Sequence, residues 1–514
     1  MKNSKVSKMV STCISAIFLI SLLGSCESQT TTNDARLIPS SVNTNGTKAK
    51  VFLSDASQNE MIVPQQDLSF QQDFETENQL ICVYPEFQYQ EILGFGGAFT
   101  EATAYNYMLM TPAQRQQVIE LLFSKTNGIG FNFCRTHINS SDYGLGEYTY
   151  VEEGDVELKT FNIDREREHI VPMIKDALKV NPDILLYGSP WSPPAWMKDN
   201  KIMIQGGRLL PEYWQPWANY YARYFEEYKK EGINFFALTI QNEAKAVQTW
   251  ESCIYTGEEE GLFAANYLRP ALDKAGFKDI KIMIWDHNKE RVMERARASF
   301  SIPGAKEAIW GIAHHWYSGD HFDNLRMMNE LFPDKPYIAT ENGAGGPLPG
   351  APNYWNSVTR YAQEAIMDMN NGTCAVVAWN MILDQYGTPI HNRNNRRTIA
   401  EAAVPYVPIP AGAGGGGQIT YNTDTEEFEV RTGYYTIGHF SKFIQRGAIR
   451  IGSSTYSDNV KAVALINPNG EIVIVVLNLS GRDANPKIRL NDCTAEFNMP
   501  ANSLQTIIVQ GKYN

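Results

Sequence analysis

Two runs of the chain end in an unusual way. "FFALTIQNE" is apolar and β-prone until it stops on Gln241, Asn242 and Glu243, and "PYIATEN" stops on Glu341 and Asn342. A buried strand normally ends at a turn residue rather than a carboxylate. Two carboxylates facing each other suit the cleavage of a glycosidic bond. One, protonated, gives its proton to the leaving oxygen, and the other, ionised, attacks the anomeric carbon. The donor needs a raised pKa, and a negative neighbour raises it. A separation of about 5–5.5 Å would mean retention of configuration through a covalent intermediate. Each residue also has a plainer reading. Glu243 can be a strand-end carboxylate salt-bridged to Lys245 or capping the next segment, and Glu341 a solvated residue before an Asn-Gly turn.

Other strand-like runs end in residues that suit a sugar. "IGFNFCRTHI" leads to Asp142, "DILLYGS" leads into "SPWSPPAW" with Trp191 and Trp196, "IWGIAHHWY" ends in His314, His315, Trp316 and Tyr317, and "AVVAWNM" carries Trp379 and Asn380. Aromatic faces pack on the apolar C–H faces of sugar rings, while carboxylates and amides bind hydroxyls. Singly, Asp142 reads as a turn residue before Tyr-Gly and the tryptophans read as core. The two histidines alternate on one strand, so one belongs to the core and the other to a ligand. The coincidence of such residues with the ends of most of the eight strands favours a site. No metal site or cofactor is expected, because no third ligand stands at a suitable spacing.

The elements that must position these groups alternate strand with helix. The strand candidates are 91–97, 129–138, 183–189, 235–242, 280–286, 309–317, 336–342 and 375–381. Helices between them are predicted from Thr111-Pro112, a cap followed by proline, and from near Asp164, Pro211, Gly257, Asn288 and Asn353. The longest is amphipathic and ends at Gly232. Eight such units predict an α/β fold, a closed (β/α)8 TIM barrel with catalytic groups at the C-terminal strand ends. An open doubly wound sheet is the runner-up, but "GFGGAFTE" does not fit the GxGxxG loop such a sheet would carry. Beyond Gly447 the pattern changes to short alternating strands with an Asn469-Gly470 turn. Residues 48–90 hold similar strands, so one β-sandwich side domain is expected from both ends of the chain. The predicted division is a leader at 1–25, a flexible tether at 26–47, N-terminal sandwich strands at 48–90, a barrel at 91–446 and C-terminal sandwich strands at 447–514. "VPYVPIPAGAGGGGQ" (404–418) reads as a connection without chemistry.

Composition is that of a globular protein, 43% hydrophobic and 20% charged over 514 residues. The net charge of −12, with no basic block, argues against nucleic acid as a partner. Lys2, Lys5 and Lys8 precede the apolar run "ISAIFLISLLG", which is too short to span a bilayer. "LLGSC" then resembles a bacterial lipoprotein signal with Cys26 as the lipidated residue; an ordinary cleaved secretory signal is the alternative. Either predicts export, and the lipoprotein reading places the protein in the cell envelope as an outer-membrane lipoprotein held by its N-terminal lipid alone. Removal of the leader takes the charge from −12 to −15. Cys82, Cys134, Cys253, Cys374 and Cys493 are far apart, odd in number and without a CxxC, which argues against a disulfide framework or a zinc site.

In order along the chain stand "GFGGAFTEA", "RTHINSSDY", "SPWSPPAWMK", "TIQNE", "AHHWY", "ATENG" and "YYTIGHFSKFI". In these motifs the chain resembles glycoside hydrolase family 30, the glucosylceramidase-like retaining β-glycosidases, over residues 48–514. The resemblance implies a barrel with a β-sandwich, Glu243 as general acid/base and Glu341 as nucleophile. It further implies that Asn242 bonds the sugar 2-hydroxyl, that Asp142, Trp191 and Trp379 line the glycone subsite, and that Arg135, His315 and Tyr317 orient the nucleophile and the sugar. It implies a β-glucoside or β-glucan substrate of the glucosylceramidase or β-1,6-glucanase type, and the lipoprotein leader favours glycan degradation at the bacterial cell surface. A xylan-cleaving member of the same family and a non-catalytic surface glycan-binding protein are the alternatives. Family members usually carry proline after the acid/base; here it is Ala244, which would leave that loop freer and affect the leaving-group side.

Overall fold

A computed structural model describes residues 42–57, 61–74, 78–343, 345–391 and 417–513. The predicted leader, the lipidation site Cys26 and most of the predicted 404–418 connection lie outside the described residues.

Eight parallel strands close into a barrel: β1 (Gly94–Phe99), β2 (Phe133–Ile138), β3 (Leu185–Pro190), β4 (Ala237–Thr239), β5 (Lys281–Asn288), β6 (Gly311–His315), β7 (Tyr337–Glu341) and β8 (Thr373–Asn380). All eight overlap the runs read from the sequence; β2, β4, β6 and β7 lie wholly inside them, and β1, β3, β5 and β8 overrun by one or two residues. Inward residues of successive strands fill the barrel, among them Phe133, Tyr187, Ala237, Met283, Ala313, Ile338 and Val377. The outer faces meet the helices in one large core. The glycines of β1 answer a packing demand, since a Cβ on Gly96 would lie 1.9 Å from the Phe133 carbonyl oxygen on β2.

The helices begin and end as their caps dictate. Thr111 and Gln114 form a capping box ahead of Pro112–Phe123. The helix Trp214–Lys230 follows a short 3-10 turn at Pro211–Tyr213, so the first turn predicted there is tighter than α. It buries Trp217, Tyr220, Tyr221, Tyr224 and Tyr228 along one stripe, and Gly232 takes φ +80° just beyond it. Helices Glu101–Leu109, Phe322–Leu331 and Thr432–Ser441 carried no start signal noted in the sequence; the first is capped by Thr100.

The sandwich is assembled from both chain ends. Lys48–Asp55 pairs antiparallel with Ser503–Val509, and Leu80–Glu91 pairs with Ile449–Ser454. The barrel boundaries coincide because the two crossings bond to each other: Ile92 N–H donates to Ala448 O at 2.8 Å and Gly447 N–H to Ile92 O at 2.9 Å. The "YYTIGHFSKFI" motif joins the two regions. His439, on the helix Thr432–Ser441, bonds Ser54 Oγ at 2.8 Å through Nε2 and Thr506 Oγ1 at 2.9 Å through Nδ1. Burial pushes this imidazole down to about 3, so it is neutral and structural.

Two expectations are corrected. Residues 42–47 are docked, although the tether was predicted to run to 47. Thr44 is buried, Asn491 Nδ2 donates to Val42 O and Thr44 Oγ1, and Phe70 N–H donates to Thr47 O. The chain after β8 also forms a three-stranded sheet that the sequence reading did not anticipate, in which Ile419–Asn422 joins Ile382–Asp384 to Glu427–Val430.

Candidate active site

The strand that ends in Glu243 is regular for only three residues, yet the backbone beyond it stays stitched to both neighbours. Asn242 N–H donates to Pro190 O on β3 and Glu243 N–H to Asp286 O on β5, both at 2.8 Å. Glu243 itself sits at φ +50°. A non-glycine residue in this region is uncommon and costs about 1–3 kcal/mol, so surrounding bonds must hold it there. Ala244 is fully buried and its carbonyl accepts from Tyr255 N–H at 2.8 Å. The loop is therefore anchored without a proline ring, contrary to the looser backbone expected.

Arg135, from β2, is the hub of the mouth. One terminal nitrogen donates to Glu341 Oε2 at 2.7 Å, and the other to Asn242 Oδ1 at 2.9 Å and Asp286 Oδ2 at 2.8 Å. Its guanidinium carbon lies 4.8 Å from the Trp191 ring and 5.4 Å from Trp379. Those indoles stack at 5.0 Å, with Tyr143 edge-on to Trp379. A fully buried cation needs such anionic and aromatic partners to offset its desolvation. Asp286 also accepts from Thr239, Thr340 and His315 Nε2. Burial alone would push the Asp286 carboxyl up, but Arg135, His315 and Thr340 together hold it well below the usual carboxylate range.

Glu341 is served at both oxygens, by Arg135 at Oε2 and by the Tyr317 hydroxyl at Oε1, 2.9 Å away. Glu243 has different company. Gln248 Nε2 donates to its Oε2 at 2.9 Å, and its Oε1 lies 3.5 Å from His287 Nδ1 and 3.6 Å from His315 Nδ1. His314 points the other way and bonds Thr373 Oγ1. Burial drives His314 well below its usual range, so it is the core histidine of the pair. Burial also lowers His315, but Glu341, Asp286 and Glu243 more than reverse this and lift it to about 9.

Burial lifts Glu341 to about 7; His315 and Arg135 oppose the rise, while the charges of Glu243 and Asp142 add to it. Burial acts upward on Glu243 too, yet its contacts with His315, His287 and Gln248 outweigh it and the net direction is down. This is opposite in sense to the sequence expectation, which put the raised pKa on Glu243. The reason is the histidine pair, which the sequence did not place beside that carboxylate. Two carboxyls in one field titrate as a pair. The upward shift at Glu341 therefore belongs to the pair, which holds a proton up to about 7.

Glu243, Glu341, Arg135, Asn242, His315, Tyr317, Trp191 and Trp379 thus share the barrel mouth, and Asp142 acts on Glu341 from the loop after β2. Trp196 stands apart, edge-on to Tyr213. The motif "GFGGAFTEA" is scaffolding: Glu101 accepts from Arg165 and from Leu145 N–H, and so fixes the loop that carries Asp142. Sequence reasoning missed Asp286, His287 and Gln248. The signal for Asp286 was present, since it ends the predicted strand 280–286. His287 had none, because it reaches the site only through a bulge in β5. Glu243, His287 and His315 form a three-ligand group, although the sequence spacing offered no third ligand.

A model of the glycosyl hydrolase family 30 TIM-barrel domain matches residues 92–444, and one of the glycosyl hydrolase family 30 beta sandwich domain matches residues 447–507. The chain is 30% identical over 422 residues to the lysosomal acid glucosylceramidase of Mus musculus, covering 79% of this chain and 78% of that protein. Among solved structures, SrfJ from Salmonella typhimurium is similar with a TM-score of 0.83 and 31% identity, over 90% of this chain and 100% of that one. An endo-beta1,6-glucanase is similar with a TM-score of 0.78 and 25% identity, over 90% of this chain and 100% of that one.

Proposed function

The chain belongs to glycosyl hydrolase family 30, and from that premise we propose that it cleaves β-glucosidic bonds with retention of configuration, Glu341 as nucleophile and Glu243 as general acid/base. The observation that carries the assignment is the difference in hydrogen bonding. Glu341 receives a guanidinium N–H and a phenol O–H, donors that favour a carboxylate over a carboxylic acid. Glu243 instead has an amide donor, Gln248, and two imidazole nitrogens 3.5 and 3.6 Å away. The glucosyl preference rests on the relatives named glucosylceramidase and endo-beta1,6-glucanase.

In the first step a Glu341 oxygen bonds to the anomeric carbon, the glycosidic C–O bond breaks, and the proton of Glu243 goes to the departing oxygen. In the second, Glu243 takes a proton from water, the water oxygen bonds to the anomeric carbon, and the ester to Glu341 breaks. The proton held by the pair must therefore sit on Glu243 when the first step begins. A bound substrate supplies the bias: the glycosidic oxygen accepts only from a protonated Glu243, and positive charge growing on the sugar favours the Glu341 anion. Trp191 and Trp379 form a stacked wall beside Arg135 for the glycone, and Asn242 is poised for the 2-hydroxyl.

Trapping with an activated 2-fluoro-β-glucoside, followed by peptide mass mapping, tests this reading. A glucosyl adduct on Glu341 is expected. An adduct on another residue, or inverted product by NMR, overturns it. We also propose that the mature protein is lipidated at Cys26 and degrades glycan at the cell envelope, a reading supported by the "LLGSC" leader. Cys26→Ser should abolish incorporation of labelled fatty acid and release the protein from the membrane fraction.

A further inference from the structure

A cation site is built around the same carboxylate. Nδ1 of His287 and Nδ1 of His315 lie 3.5 and 3.6 Å from Glu243 Oε1, and all three ligand atoms fall within 4.8 Å of one another. Those separations are too long for hydrogen bonds. They match the edges of a coordination tetrahedron, because bonds of about 2.0–2.1 Å place ligand atoms about 3.3–3.4 Å apart. The two histidine nitrogens, within 4.8 Å of each other, close to that spacing on binding.

Two further observations point to a ligand. Both Nδ1 atoms are buried and make no hydrogen bond among the described residues, and His315 as a whole is completely buried. On its other side, His315 Nε2 bonds Asp286 Oδ1 at 2.9 Å, so Nδ1 faces the trio and gives up its proton when a cation binds there. A carboxylate behind an imidazole is the arrangement that orients metal-binding histidines. The backbone is shaped to the same end. Trp285 and Asp286 take φ +74° and +46°, and the register shifts between Trp285 and His287. Consecutive strand residues normally face opposite ways. This bulge lets Asp286 reach Arg135 while His287 reaches Glu243.

We propose that His287, His315 and Glu243 bind one borderline divalent cation, of the Zn²⁺ or Cu²⁺ class that favours imidazole with a carboxylate, with the remaining coordination position open to solvent or a sugar hydroxyl. Magnesium, which prefers oxygen ligands, is excluded by the donor set. A cation on Oε1 occupies the atom that must carry the proton, so binding silences hydrolysis. Binding stands on the geometry; silencing rests on the role of Glu243 proposed above.

The test is calorimetric titration of untagged, chelator-treated protein with ZnCl₂ at neutral pH, alongside the visible spectrum with Co²⁺ and the rate of aryl β-glucoside hydrolysis. One saturable equivalent, an intense tetrahedral Co²⁺ band and chelator-reversible loss of activity are expected, with no competition from Mg²⁺. His287→Ala and the more conservative His287→Gln, each checked for folding by circular dichroism, should weaken Zn²⁺ binding at least tenfold. Absence of saturable binding to the wild type, or unchanged binding in both folded variants, overturns the site. Stoichiometric binding that leaves hydrolysis intact upholds the site and overturns the role of Glu243 instead.

Discussion

Two buried carboxyl clusters in this molecule have opposite characters. At the barrel mouth, Asp286 and Glu341 share the guanidinium of Arg135. In the layer outside β2, Glu166 is as deeply buried but is answered by the hydroxyls of Tyr148, Tyr150 and Tyr228. Burial lifts Glu166 to about 8, and the three phenols recover only part of the shift. It is therefore a neutral acid at pH 7, a hydrogen-bonding post between the Asp164–Glu168 helix and the helix Trp214–Lys230. Asp286, with a cation in contact, stays ionised. The phenols do not offset the desolvation of Glu166, whereas Arg135, His315 and Thr340 together offset that of Asp286. The mouth therefore holds a fixed anion, Asp286, against Arg135, while the helix layer holds an acid that has given up its charge.

Substitutions can break this contrast, beginning with the largest effect. Glu341→Gln should lower kcat/KM by about 10³-fold or more while leaving the thermal transition near that of the wild type; full hydrolysis by this variant would remove the mouth cluster from the chemistry. Arg135→Gln leaves two buried carboxylates without their cation and should cost about 3–5 kcal/mol of stability in denaturant unfolding, together with most of the activity. A loss under 1 kcal/mol would mean that Arg135 does not hold these anions.

The shared proton gives the next test. Catalysis needs one proton on the Glu243–Glu341 pair, and the pair loses its last proton near 7. The rate should therefore fall above about pH 7, by about tenfold per unit in kcat/KM. A plateau extending past pH 9 would contradict that placement.

Glu166→Gln has the smallest expected effect, within about 1 kcal/mol at neutral pH, because an amide replaces an acid that was already uncharged. Its value lies in the slope. A carboxyl held at about 8 when folded and near 4.5 when unfolded gives the folded chain the extra proton between those values, so its contribution to stability falls as pH rises through that window. The slope is at most about 1.4 kcal/mol per pH unit, and the glutamine variant should lose it. Equal slopes in both proteins would show that Glu166 is already ionised.

Much of this was legible in the chain. All eight strands were placed because buried barrel strands read as apolar runs, and a polar residue at such a run's end has nowhere to go but the mouth. The same logic found Glu243, Glu341, Asp142, Trp191 and Trp379. It passed over Asp286, which ends its strand just as plainly but has no aromatic or amide neighbour in sequence to mark it. It missed His287 because strand parity assigns residues 286 and 287 to opposite faces, and only the bulge in β5 cancels that parity. The docking of 42–47 was hidden because its partners, Phe70 and Asn491, are remote in sequence.

The sequence by itself determined the barrel, the joint sandwich and the residue types at each strand end, because these follow from local periodicity and from the ends of apolar runs. The charge states were decided by the tertiary structure alone. Glu166, Glu243, Asp286 and Glu341 are all carboxyls at buried or nearly buried positions. What separates a neutral post from a ready anion is whether barrel closure brings up Arg135, an imidazole pair or three phenols, and those partners come from elements far apart in the chain.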